Sequence, residues 1–247
     1  TVFGNVLGTA VNLAKGKAAP PDVKPRASKG IHVHIVEKET RATAISFGHP
    51  IEVTRSHPDF AALTVARSFL GEHRSSSSWL FQRIREIRGM NYGDYAYIEA
   101  FPGGMFRSIP GANVGRRAQL FEVWIRPVMP ANAHMATRIA LHELQKLIEK
   151  GMTQKQFETT RDYLMKYVYS MTSTQDLALG YALDARWYGT DEFTKMMRDR
   201  LSKMTVADVN RAVKKHLSWR DLSFVFITKD AEGLKKQLLA DGVSTVT

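Results

Sequence analysis

The order in which two periodicities occur along this chain limits the folds open to it. Residues 31–126 hold alternating or β-branched and aromatic runs: His32–Glu37, Ala42–Phe47, Tyr92–Phe101 and QLFEVWIR from Gln119 to Arg126. A longer helical pattern inside that half runs from Pro58 through Phe60, Leu63, Val65, Phe69 and Leu70 to Gly71. From Asn132 onward the spacing turns helical. Met135, Ile139, Leu144, Leu147 and Ile148 share a face before Lys150-Gly151, Thr153-Gln-Lys-Gln156 reads as a capping box, and Thr205-Val-Ala-Asp208 caps a later helix. Two further helices are expected near 176–187 and 192–204, then an apolar strand, Leu222–Thr228, and a closing helix, Ala231–Leu239. Strands gathered first and helices after them predict an α+β fold, a largely antiparallel sheet with helices packed on it.

At 247 residues the chain can bury one large core or two small ones. Gly16 to Gly30, GKAAPPDVKPRASKG, carries the Pro, Lys and small residues of a linker. Residues 1–30 are therefore expected to be the tail of a preceding domain and its linker, with the domain proper at 31–247. The absence of an initiating Met and of a signal peptide fits a fragment or a processed piece. With no cysteine, the chain has no disulfide, thiolate metal site or thiol nucleophile. No apolar run approaches the ~20 residues that span a bilayer. A net charge of +11 attracts acidic partners, yet no run of five like charges occurs, so a generally solvated basic surface is the better account. Tyr95 and Tyr97 invite comparison with a base-stacking platform, but Glu99 on the same strand face repels phosphate, which argues against nucleic acid.

The stretch with most chemical content is Leu80–Tyr92, LFQRIREIRGMNY. Leu80, Ile84 and Ile87 at helical spacing, with Arg83, Arg85 and Arg88 between them, predict a short amphipathic helix that stops at Gly89. Arg85 one turn before that stop and Tyr92 at the mouth of the next strand can aim a guanidinium and a phenol at one point. Two donors without a base suit a carbonyl that becomes an oxyanion. By residue type alone, a solvated Arg and a half-buried Tyr are the commoner outcome.

This helix–Gly–strand segment resembles the substrate-binding half of insulinase/pitrilysin-type zinc metallopeptidases, the group that includes the mitochondrial processing peptidase. In Ile84-Arg85-Glu86-Ile87-Arg88-Gly89-Met90-Asn91-Tyr92 the spacing from Arg to Tyr is kept, and Met90 stands where Leu is usual. Phe47-Gly48, Pro58-Asp59, Leu70-Gly71, Ser75–Ser78 and the run Met204–Asn210 extend the likeness over most of the chain. The resemblance implies one half of a clamshell like that of the processing peptidase, with Arg85 and Tyr92 holding a scissile carbonyl and an edge strand aligning an extended peptide or unfolded polypeptide. It implies zinc in the complete enzyme, bound outside this chain by a homologous N-terminal domain or a partner subunit, and no activity from this chain alone. A non-catalytic subunit of the same fold is the alternative; a basic nucleic-acid-binding domain is a more distant one.

The inverted zinc motif His-x-x-Glu-His is absent; the nearest fragment is Leu141-His142-Glu143, and Lys146 fills the place of a second ligand. His142 lies off the apolar face and is expected in solvent. His32 and His34 share a strand face without an evident third ligand, and His49, His57 and His73 are read as structural. No glycine-rich phosphate loop of standard spacing is present.

Overall fold

The computed structural model describes residues 26, 28–101 and 109–240. The expected tail and linker before residue 31 fall largely outside the described residues, as does Gly103-Gly104. Among the described residues five strands form one sheet in the order β1-β5-β2-β4-β3: β1 Ile31–Glu37, β2 Thr43–Ile51, β3 Asp94–Tyr97, β4 Gln119–Val128 and β5 Leu222–Thr228. Every neighbouring pair is antiparallel except β1 with β5. The helices are α1 Phe60–Gly71, α2 Phe81–Glu86, α3 Ala133–Lys150, α4 Gln154–Met171, α5 Gln175–Tyr188, α6 Phe193–Lys203, α7 Val206–His216 and α8 Ala231–Ala240. This is the α+β architecture the sequence predicts. No helix among the described residues is long and apolar enough to cross a membrane.

β1 and β2 follow each other in sequence but do not pair, because β5 lies between them. Leu222, Phe224 and Phe226 of β5 are buried under the helices, and Val225 and Ile227 make its other face apolar too. Such a strand loses most by being left at an edge, so β1, with His32 and His34 in solvent, takes the edge instead. The parallel pairing needs a long crossover, which the body of the domain provides. Proline placement follows the ladder. Pro50 lies beyond Gly48, the last β2 residue with a β5 partner. Pro127 sits inside β4 where the β2–β4 register shifts between Thr43 and Ile45, a bulge that spares the missing N–H.

α1 is the hub of the helical layer. It touches β3, α3, α4, α6 and α7, and is buried along nearly its whole length. Apolar residues on all sides suit a helix enclosed in this way. Its buried Arg67 pairs with Glu72 at 2.7 Å, which compensates the charge. Gly71 ends the helix against β3: a Cβ there would lie 2.6 Å from the Ala96 nitrogen. The glycine thus sets how closely α1 approaches the strand. At the α3–α4 corner Gly151 adopts φ +73, and the Asn210 amide exchanges two hydrogen bonds with the Met152 backbone, at 2.7 and 3.1 Å. Both expected caps form, Thr153 with Gln156 and Thr205 with Asp208.

The strand expected at Tyr92–Phe101 is shorter, and Glu99 does not share a face with Tyr95 and Tyr97. The strand ends at Tyr97, and Glu99 turns away to accept a 2.8 Å bond from Arg55 Nε. Tyr95 and Tyr97 face away from the helices, opposite Trp124 and Glu122 of β4. They are closed in by other aromatic rings: Trp124 lies 4.8 Å from Tyr97, Phe101 4.9 Å from Tyr97, and His73 stacks on Tyr95 at 4.1 Å.

Candidate functional site at the α2 to β3 corner

α2 carries Arg85, and its winding differs from the expected regular helix. Leu80, Phe81 and Ile84 are buried, whereas Ile87 is 59% exposed. The Ile87 N–H bonds back five residues to Gln82 O at 3.1 Å, a π-type turn one residue wider than an α turn. The extra residue rotates Ile87 off the buried face and brings Phe81 onto it. Gly89, at φ +62, then closes the turn, with its N–H donating to Arg85 O at 2.7 Å.

Glu143 of α3 fixes this helix in place. It is 2% exposed, accepts the indole N–H of Trp79, and accepts from Arg83 Nε at 2.9 Å. His142 beside it is exposed, as the sequence implied. The anchoring role of Glu143 has no signal in the sequence, because its neighbours on α3 say nothing about an Arg sixty residues earlier.

Arg85 and Tyr92 are brought together. The guanidinium lies between the Phe81 and Tyr92 rings, 4.6 and 4.7 Å from their centroids, and Arg85 Nη1 donates to the Tyr92 carbonyl at 2.9 Å. Tyr92 is 63% exposed, so the pair stands at the surface. A nearby hollow of about 400 Å³, lined by Phe69, Trp79 and Tyr163, is bordered by neither of them. Among the described residues the Tyr92 hydroxyl and the rest of the guanidinium have no protein acceptor. Two unengaged donors side by side, with no base between them, can serve a carbonyl oxygen or another anionic oxygen.

The turn between them is tied to β4. Asn91 Nδ2 donates to Asp94 Oδ1 at 2.7 Å and to Arg126 O at 3.2 Å, while Arg126 N donates to Gly93 O at 3.2 Å. Asp94 is fully buried, and burial pushes its carboxyl up to about 7 against the opposing effect of the Asn91 bond. On the far side of Tyr95, burial and the nearby Arg74 and Arg126 push His73 down to about 4. Asn91 and Asp94 were also missed; the Asn-x-x-Asp spacing marks a side-chain-stabilised turn, but their burial depends on distant β4.

Zinc does not fit this corner. Among the described residues one group of three possible ligands converges, His57, Asp59 and His216, with ligand atoms within 4.8 Å of one another. It lies at the N-terminal end of α1, whereas β3 meets the C-terminal end. The Asp59 carboxylate is already engaged by His216 at 2.8 Å, Arg211 at 3.2 Å and Lys215 at 3.6 Å. His32 and His34 are exposed on β1, with His32 bonded to Lys29 O.

A family model described as the peptidase M16 inactive domain matches residues 1–164. The chain belongs to the peptidase M16 inactive-domain family. Among solved structures, this M16 domain is similar to the peptidase M16 inactive domain from Pseudomonas fluorescens, with a TM-score of 0.71 and 18% identity over 92% of this chain and 51% of the other. It is also similar to a protease from Helicobacter pylori, with a TM-score of 0.68 and 16% identity over 87% and 48% of the two chains. A curated relative, the non-peptidase homolog YmxG of Helicobacter pylori, is 22% identical over 90% of this chain and 48% of its own length. The M16 chain thus spans about half the length of these relatives. At these identities the solved structures carry the fold, which agrees with the mixed sheet and helical layer described above.

Proposed function

We propose that this M16 inactive domain is the substrate-gripping half of a larger peptidase-like protein, in which Arg85 and Tyr92 hold a backbone carbonyl of an extended peptide. The observation that carries this reading is the stacking of Arg85 on Tyr92 at an open surface, with donors unengaged on both. A peptide carbonyl laid across the pair accepts from the guanidinium and from the phenol O–H, and both bonds strengthen as negative charge develops on that oxygen. The π turn, Gly89 and the Glu143 anchor hold the donors before the peptide arrives, so little ordering cost falls on binding. The catalytic metal and its general base belong, on this reading, to a zinc-bearing partner domain or subunit that faces the corner.

The relative named as a non-peptidase homolog favours a second reading, in which the same grip binds peptide without cleavage. Peptide hydrolysis by the protein joined to its partner domain, compared with Arg85→Ala and Tyr92→Phe, tests the first reading. Each substitution is expected to lower turnover by on the order of a hundredfold. Unchanged turnover overturns the carbonyl-holding role; no turnover in the parent, with peptide binding still weakened by Arg85→Ala, selects the second reading.

A further inference from the structure

The turn that delivers Tyr92 contains a mismatch of hydrogen-bonding groups. The Asn91 amide nitrogen spends one N–H on Asp94 Oδ1 and the other on the Arg126 carbonyl, which fixes the orientation of the amide, since a carbonyl can only be met by a donor. Two buried acceptors are left over, Asn91 Oδ1 and Asp94 Oδ2, and among the described residues neither has a hydrogen-bond partner. Two buried acceptors without a donor are expensive, and two bare oxygens of adjoining groups also repel. One proton resolves both deficits.

We propose that Asp94 is held as a neutral carboxylic acid whose Oδ2–H donates to Asn91 Oδ1, closing a cyclic acid–amide pair that positions Tyr92 and, through the Tyr92 carbonyl, Arg85. In that pair the amide N–H meets one carboxyl oxygen and the carboxyl O–H meets the amide oxygen, so each side chain both gives and receives. The surroundings favour the neutral form. Among the described residues Asp94 has no ion-pair partner, and its titration is shifted by burial, opposed by the Asn91 bond. Arg126 of β4 offers this turn its backbone and lies 6.0 Å from the Tyr95 ring with its guanidinium. Arg85 of α2 is turned to Tyr92, and His73, beyond α1, stacks on the Tyr95 ring. Loss of the proton leaves a fully buried carboxylate against an amide oxygen, and the turn must open to hydrate it. Asn91 and Asp94 are therefore positioning residues, and peptide affinity at the corner falls as pH rises through about 7. That last consequence rests on the peptide-gripping reading; the acid–amide pair does not.

Carbon-13 NMR of the full chain with labelled aspartate, followed from pH 5 to 9 alongside the Tyr92 ring signals, tests it. The expected result is one aspartate carboxyl with a midpoint near 7 that vanishes in Asp94→Asn, and a Tyr92 ring shift with the same midpoint. Asp94→Asn keeps a donor beside Asn91 and is expected to lock the low-pH Tyr92 signal at every pH. An Asp94 carboxyl that titrates in the ordinary aspartate range, or a Tyr92 ring indifferent to its titration, overturns the proposal. Should the variant fail to fold, the wild-type titration alone decides. A pH-linked Tyr92 with pH-independent peptide binding would instead keep the pair and remove the gripping reading.

Discussion

The two edges of the sheet are finished in opposite ways. β1 leaves six of its seven residues exposed, including Ile31, Val33 and Val36, and is held by its ladder to β5 and by α8. β3 is only four residues long, yet all four are buried, with α1 seated on Gly71 on one side and the His73, Phe101 and Trp124 rings on the other. An edge strand packed on both faces is a rigid base for what precedes it in the chain. Tyr92 and Arg85 inherit that rigidity, whereas nothing at β1 requires it.

The contrast breaks if the strands prove equally tolerant. Tyr97→Ala removes a fully buried ring and should cost about 3–5 kcal/mol of unfolding free energy in a urea titration. Glu143→Ala leaves the Trp79 N–H and the Arg83 charge without their acceptor, at a cost of about 1–3 kcal/mol. Amide hydrogen exchange in that variant should speed up in α2 and stay unchanged in α8; uniform loss of protection would mean that Glu143 does not act through α2.

The β3 side also carries a pH dependence. Asp94 has a folded value near 7, above its ordinary 3.8, so its contribution is fully present below about 4 and is lost as pH rises through 7. His73, with a folded value near 4 against an ordinary 6.5, acts in reverse: its contribution is present above 6.5 and is lost as pH falls through 4. Between about pH 4 and 6.5 the two contributions oppose each other, so stability of the wild type should change little there; Asp94→Asn, which leaves His73 acting alone, should make stability rise with pH across that interval, and His73→Gln, which leaves Asp94, should make it fall. A stability profile between pH 4 and 7 left unchanged by Asp94→Asn would remove the carboxyl from the account. The smallest effect belongs to the other edge: Val33→Ala, half exposed on β1, should change stability by no more than about 0.5 kcal/mol.

Much of this was legible in the sequence because it is local. Periodicity located the helices, the Thr153 and Thr205 caps form as their spacing implies, and β5 was evident as an apolar run. The Arg85 and Tyr92 spacing, with Gly89, also predicted their meeting. What stayed hidden is non-local or lacks a compositional mark. The insertion of β5 between β1 and β2 is decided by which strand can least tolerate an edge, and the π turn that expels Ile87 leaves no trace in residue type. Asp94 looks like any turn aspartate until β4 closes over it.

Affinity of the protein for an unstructured peptide, measured by fluorescence anisotropy for the wild type and for the double variant Arg85→Ala, Tyr92→Phe, is the most direct test of the central claim. The account predicts binding weakened by roughly tenfold or more, the worth of one charge-assisted bond or better, with unfolding midpoints little changed. Equal affinity in a folded double variant would contradict it.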